Sequence, residues 1–222
     1  MFKKIIVNED LDPINLAVVQ TLKDMDVAEV EYAKYCDETF LKIKKAKADN
    51  APFDLLITDL SFRIDHRIEK LLSGEQLIKA VREFDPTLKI IVFSIEDKTF
   101  RIKSLFNNLA INAYVMKSRN SLAELKKAVE SVYHQKEGMF SGNMTHVLDD
   151  KTLITIEAYD IDLLFLMSNG KTLEEIAAEF KNIGLLPNSS SSVEKRINKL
   201  KTYFNASNNV HLIGIAKDLG LI

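Results

Sequence analysis

The stretch that most constrains this chain is Phe53-Asp54-Leu55-Leu56-Ile57-Thr58-Asp59. Its three consecutive aliphatic residues are too few for a helix. They read as a strand buried on both faces, closed by a carboxylate where burial should end. Such strands belong to open α/β sheets, which bind ligands at the carboxyl edge, where the strand order reverses. Asp59 falls at that edge. Three other apolar runs end in polar groups: Lys4 to Val7 leads to Asn8, Glu9 and Asp10, Lys89 to Phe93 closes on Ser94, and Ala113 to Met116 leads to Lys117.

Between these runs the period changes to that of helices. Asp12-Pro13 reads as an N-cap and first-turn proline ahead of Ile14, Ala17, Val18, Leu22 and Met25. Val27 to Ala33 alternates with Glu29 and Glu31, as an edge strand does, and a lysine-rich helix from Asp37 to Ala48 follows. Ser61 to Leu72 is charged and weakly periodic, a long loop. Ser73 with Gln76 has capping-box spacing before Leu77, Ala80, Val81 and Phe84. A helix is expected over Thr99 to Leu109, and another after Ser121 and Glu124, with Leu125, Ala128, Val129 and Val132 inward. Five strands alternating with five helices make a parallel sheet covered on both faces, and right-handed crossovers put every carboxyl end on one edge. The expected site is therefore Glu9, Asp10, Asp59, Ser94 and Lys117.

Three carboxylates in one cleft repel, at about 4 kcal/mol for two unit charges 4 Å apart near a protein surface. A hard dication relieves this, and Mg²⁺ prefers a few carboxylate oxygens with water and phosphate. Asp59 can then act as a nucleophile toward a phosphoryl group, with Lys117 and the Ser94 hydroxyl stabilising the phosphoryl oxygens.

Composition narrows the class. A net charge of −2 excludes a protein that coats nucleic acid or membrane over its whole surface. The single cysteine, Cys36, excludes an intramolecular disulfide framework and a cysteine-rich zinc site. The N-terminus lacks a signal-peptide hydrophobic region and no apolar run reaches the length of a membrane span, so a cytoplasmic location is expected.

From Gln135 to Lys151 the pattern lapses, and residues 136–152 are read as a linker between a domain at 1–135 and a second at 153–222. The second is expected to be wholly helical. Asp160 to Met167 is almost continuously apolar, Thr172 with Glu175 forms a capping box, and Ser191 with Glu194 is read as capping the third helix. That helix buries Val193, Ile197, Leu200 and Phe204. Opposite them lie Ser192, Lys195, Lys199 and Thr202, with Arg196 and Lys201 on the flanks, a basic face suited to DNA phosphates and base edges. Residues 151–222 nevertheless hold eight Lys and Arg against eight Asp and Glu, a neutral balance.

The four strand ends resemble the receiver domain of two-component response regulators. The resemblance covers about residues 1–135 and implies a flavodoxin-like, doubly wound, five-stranded parallel sheet. It implies that Asp59 accepts phosphate from a histidine kinase, and that Glu9, Asp10, Asp59 and the Ser61 carbonyl bind Mg²⁺. Ser94 and Tyr114 would be the switch residues, with activation acting through the surface made by the helix over Thr99 to Leu109, the strand Ala113 to Met116 and the helix after Ser121. Ser61 to Ser73 is longer than the family's loop, and Ser118 replaces the proline that commonly follows the lysine. The motifs Leu164 through Gly170, Thr172 through Ala177, Ser192 through Arg196 and Gly220-Leu221-Ile222 resemble the LuxR-type helix-turn-helix domain, although Lys181 to Ser191 makes a longer turn than usual. That resemblance implies contact with double-stranded DNA through Ser192, Lys195, Arg196, Lys199, Lys201 and Thr202. It also implies a homodimer paired through Leu212, Ile215, Ala216 and Leu219. The reading is a DNA-binding response regulator that is not an enzyme beyond its own phosphotransfer and autodephosphorylation. The alternative is a receiver whose helical output binds protein. An aspartyl-nucleophile phosphatase fits less well, because Ser61 stands where those enzymes place a second acid.

Overall fold

The apolar runs form the strands they suggest. The computed structural model describes residues 1–63, 66–135, 139–140 and 156–222. The chain divides into two compact units, Met1–Asp97 with Ile102–Leu148, and Asp149–Ile222 with Lys98–Arg101. Most of the expected linker, 136–152, and the start of the expected second domain lie outside the described residues.

Residues 1–135 alternate β1 (Lys4–Asn8), α1 (Asp12–Lys23), β2 (Glu29–Ala33), α2 (Cys36–Ala48), β3 (Leu55–Thr58), α3 (Gly74–Phe84), β4 (Lys89–Ser94), α4 (Thr99–Leu109), β5 (Ala113–Met116) and α5 (Ser121–Tyr133). The sheet order is β2-β1-β3-β4-β5 with every pairing parallel, the doubly wound arrangement that reverses between β1 and β3. A sixth strand, β6 (Met139–Phe140), pairs parallel with β5, so the sheet is one strand wider than the five expected. Its two residues lie within the stretch read as linker.

Alternate residues feed two cores, as the period of a strand requires. Ile6, Leu56, Ile90, Val92 and Tyr114 pack against α2, α3 and α4. Ile5, Val7, Leu55, Ile57, Ile91, Phe93 and Val115 pack against α1 and α5. Ser73 caps α3 by accepting from the Gln76 amide, as its spacing indicates. Two other caps differ from expectation. Leu11, not Asp12, is the N-cap of α1, and Asn120, not Ser121, precedes α5. Ser121 is the first residue of that helix and is buried.

The second unit comprises α6 (Ala158–Ser168), α7 (Leu173–Asn182), α8 (Ser190–Tyr203) and α9 (Asn209–Asp218). Its core gathers Leu163, Leu164, Ile176, Phe180, Val193, Ile197, Leu200, Leu212 and Ala216. Thr172 and Glu175 form the expected reciprocal cap of α7. The cap of α8 is Ser189, whose hydroxyl accepts from the Ser192 amide, so the helix starts before the expected Ser191. Among the described residues Leu186-Pro187 is the one cis peptide bond. No helix among them is long and apolar enough to cross a membrane.

Candidate phosphoacceptor site and helical surface

β3 delivers Asp59 to the sheet edge beside the β1–β3 reversal, where its amide donates to the Asn8 carbonyl (3.1 Å). The side chain is almost fully enclosed, and both oxygens are engaged. Oδ1 accepts from the Leu60 amide (2.6 Å), the Ser61 amide (3.3 Å) and the Ser94 hydroxyl (2.6 Å). Oδ2 accepts from the Lys117 ammonium at 2.5 Å. Ser94 comes from the end of β4 and Lys117 from the residue after β5, so three strand tips converge on one carboxylate. β1 supplies the fourth group. Glu9 Oε2 takes a second bond from Lys117 Nζ (2.6 Å), and Glu9 Oε1 accepts from the Leu11 amide (3.2 Å).

One ammonium thus serves two buried acids. Burial pushes the Glu9 carboxyl above its usual range, with the Asp59 charge adding to the rise and Lys117 opposing it. Asp10, more open to solvent, accepts from the Arg63 amide (3.1 Å) at the start of the long loop.

Several supports were not legible from motif reading. The Thr58 hydroxyl and the Cys36 thiol both lie against Asn8 Oδ1, at 3.2 and 3.5 Å, knitting β1, β3 and α2 beneath the site. Gly74 opens α3 directly against β3, where a Cβ would lie 1.8 Å from the Asp59 carbonyl oxygen. The long loop is pinned by Asp37, which accepts from the Lys70 and Leu71 amides (2.7 and 3.1 Å). Tyr114 is buried, its hydroxyl donating to the Glu96 carbonyl at 2.5 Å. The Lys117-Ser118 peptide bond is trans.

The donor chemistry suits a dication: three carboxylates offset by a single ammonium, with oxygen the only ligand type. Among the described residues, however, no three acidic, histidine or cysteine side chains are grouped so that they could hold a metal ion. Lys117 spans Glu9 and Asp59, and Asp10 is bonded to the loop. Beside Lys117, Pro13, Ile14, Ala17, Phe93 and Leu122 line an apolar cleft of about 410 Å³ between α1 and α5.

On the second unit, Lys195, Lys199 and Thr202 stand exposed along α8, and Asn198 joins them on the same face. Ser192 and Lys201 are half-buried. Arg196 departs from its expected place on the DNA face. Its guanidinium makes a two-pronged ion pair with Asp160, which is fully buried and also accepts from the Glu157 amide (2.9 Å). The wheel placed Arg196 on a flank, and that flank reaches α6. The expected pairing stripe on α9 is corrected too. Leu212 and Ala216 are fully buried in the unit's own core, leaving Ile215 and Leu219 partly exposed and Val210 80% exposed.

No protein-family description and no curated protein matches the chain by sequence. Solved structures do match. The RcsB response regulator of Salmonella typhimurium superposes with a TM-score of 0.70 at 20% identity, over 96% of this chain and 98% of that one. A two-component response regulator RcsB–DNA complex matches with a TM-score of 0.62 at 18% identity, over 98% of each chain. RcsB from Salmonella enterica serovar Typhimurium, bound to promoter rprA in the presence of phosphomimetic BeF3−, matches with a TM-score of 0.61 at 18% identity, covering 98% and 99%. At these identities the likeness establishes the fold: a receiver-like doubly wound unit and a helix-turn-helix-like helical unit.

Proposed function

We propose that this chain is a response regulator that takes a phosphoryl group on Asp59 and binds double-stranded DNA through its helical unit. The observation that carries the reading is the convergence of the Ser94 hydroxyl and the Lys117 ammonium on the Asp59 carboxylate, at 2.6 and 2.5 Å. Those donors touch the carboxylate that would carry the phosphoryl group, within reach of the negative charge that develops beside it. A carboxylate oxygen of Asp59 attacks the phosphorus of a phosphohistidine. The P–N bond breaks, the electron pair stays on the imidazole nitrogen, and an acyl phosphate forms. Lys117 is then drawn to the phosphoryl oxygens and the Ser94 hydroxyl donates to one of them. Mg²⁺, held by Glu9, Asp10, Asp59 and the Ser61 carbonyl, would neutralise phosphoryl charge.

The donor is a histidine kinase, and the apolar cleft beside Lys117 gives it a docking surface next to Asp59. Movement of Ser94 would be felt at Tyr114, whose hydroxyl bond to Glu96 ties β5 to the segment before α4. That movement alters the α4–β5–α5 surface and favours a homodimer, so two copies of α8 meet paired half-sites in the major groove. The RcsB structures solved with DNA support this output. The location is the cytoplasm, and no turnover beyond phosphotransfer and autodephosphorylation is proposed.

The test is radiolabelled acetyl phosphate with Mg²⁺ on the full chain, followed by DNA binding across a salt series. Label that is lost in Asp59→Ala, and DNA affinity that falls steeply with salt, are expected. Label retained in Asp59→Ala ends the phosphoacceptor reading. Label on Asp59 with no DNA binding at low salt instead favours a protein-binding output, to which the neutral charge of residues 151–222 already points.

A further inference from the structure

The turn between α7 and α8 is longer than a helix-turn-helix needs, and it is fixed. The Leu185 amide donates to the Phe180 carbonyl (2.8 Å) and its side chain packs into the core of the unit. The Pro187 carbonyl accepts from the Tyr159 hydroxyl (2.7 Å), whose ring lies on Phe180 with centroids 4.8 Å apart. Between these two anchored residues Leu186 is held outward, 74% exposed. Single exposed leucines are ordinary. This one is distinguished by its place just ahead of α8, on a turn whose neighbours on both sides are pinned.

The polar groups at that end of α8 are engaged with one another. The Ser189 hydroxyl caps the helix and also lies against the Ser191 and Ser192 hydroxyls, at 3.2 and 2.8 Å. The N-terminal residues of a recognition helix are those that approach base edges. A rigid turn leading into them is carried to the same groove. A leucine there gains nothing from phosphates. In the major groove the one apolar group on a base edge is the C5 methyl of thymine.

We propose that Leu186 is a specificity-determining residue that reads a thymine methyl at one position of each half-site. The inference rests on the DNA-binding reading above. It is tested with the full chain, phosphorylated with acetyl phosphate, on a randomised duplex library and then on the selected sequence with each thymine replaced singly by deoxyuridine. One thymine should be methyl-sensitive, with affinity falling about fourfold on replacement, the worth of one buried methyl group. That sensitivity should vanish in Leu186→Ser and survive in Leu186→Met. A wild-type protein that binds DNA with no position both methyl-sensitive and dependent on Leu186 overturns this inference and leaves DNA binding standing. Failure of the wild-type chain to bind any duplex at low salt overturns the DNA-binding reading itself, and the inference with it.

Discussion

Each unit buries a carboxylate against a cation, and the two arrangements differ in stoichiometry. In the helical unit Asp160 and Arg196 are matched one to one, with a second hydrogen bond from the guanidinium and a third from the Glu157 amide. In the sheet unit Glu9 and Asp59 share one ammonium, and burial holds the Glu9 carboxyl above its usual range. The first is closed: every charge has its partner inside the fold. The second carries an excess of acid that an incoming dication or a rearranged lysine can relieve. A buried pair that is complete holds structure together, whereas an incomplete one is poised for chemistry.

Breaking the closed pair should have the largest effect. Arg196→Ala leaves Asp160 buried without its counter-charge, and such losses cost about 3–5 kcal/mol. Urea unfolding of the full chain should show the helical unit melting early, with Asp59 labelling by acetyl phosphate unchanged. Asp160→Leu combined with Arg196→Met should recover most of the loss, because a well-packed apolar pair replaces a buried ion pair at little cost. A small effect of Arg196→Ala would mean that the pair is not closed after all.

Next in size is the packing that sets the open cluster in place. At Gly74 a Cβ would meet the Asp59 carbonyl oxygen at 1.8 Å and its carbon at 2.8 Å, both backbone atoms that cannot swing aside. Gly74→Ala should cost about 1–3 kcal/mol, as overpacking does. It should also slow labelling by shifting Asp59 away from Ser94 and Lys117. Unchanged labelling at normal stability would show that α3 gives way and that the position of Asp59 is set from the sheet alone.

The sheet unit was the more legible of the two, for a physical reason. Strands buried on both faces are short uninterrupted apolar runs, and the residue that ends each one is fixed by the sheet edge. Asp59, Ser94 and Lys117 therefore could be placed together before any distance was known. The two-residue β6 left no such trace, because pairing with β5 creates it and its own pattern does not. Caps were read less well. Ser189 to Ser192 offers four similar candidates for α8, and Ser121 was drawn into the first turn of α5 and buried. On α8 the helical spacing gave Val193, Ile197 and Leu200 as the inward stripe, with Phe204 just past the helix and only partly buried, but not what the flanks touch. Arg196 meets Asp160 across 36 positions of sequence, and Leu212 and Ala216 turned out to be core. Helical spacing does not distinguish an apolar stripe that pairs with a second copy from one that packs on its own unit.

Asp59→Asn gives a sharper contrast at smaller size. Removing one of two acids from one ammonium relieves the excess, so the sheet unit should gain about 1 kcal/mol of stability, as happens when a strained functional group is neutralised. Phosphoryl acceptance should disappear. The Glu9 carboxyl, released from the nearby Asp59 charge and with Lys117 to itself, should move back down toward its usual range, which an NMR titration of the side-chain carboxyl would follow. Destabilisation on the scale of Arg196→Ala would make the two clusters equivalent and remove the distinction.

The smallest effects on stability belong to the cations that neither cluster uses. Lys195 and Lys199 are exposed on α8, so Lys195→Ala and Lys199→Ala should each stay within about 0.5 kcal/mol of wild type. Their effect should instead appear in DNA binding. Where a lysine neutralises one phosphate, its removal should flatten the slope of log affinity against log salt by about 0.9. Arg196→Ala should do the reverse, lowering stability while the slope measured on the remaining folded protein changes little. These three variants separate the two roles a basic residue can play on one helix. An unaltered slope in both lysine variants would make the α8 surface a solvated face, and the output would then have to be sought in binding to another protein.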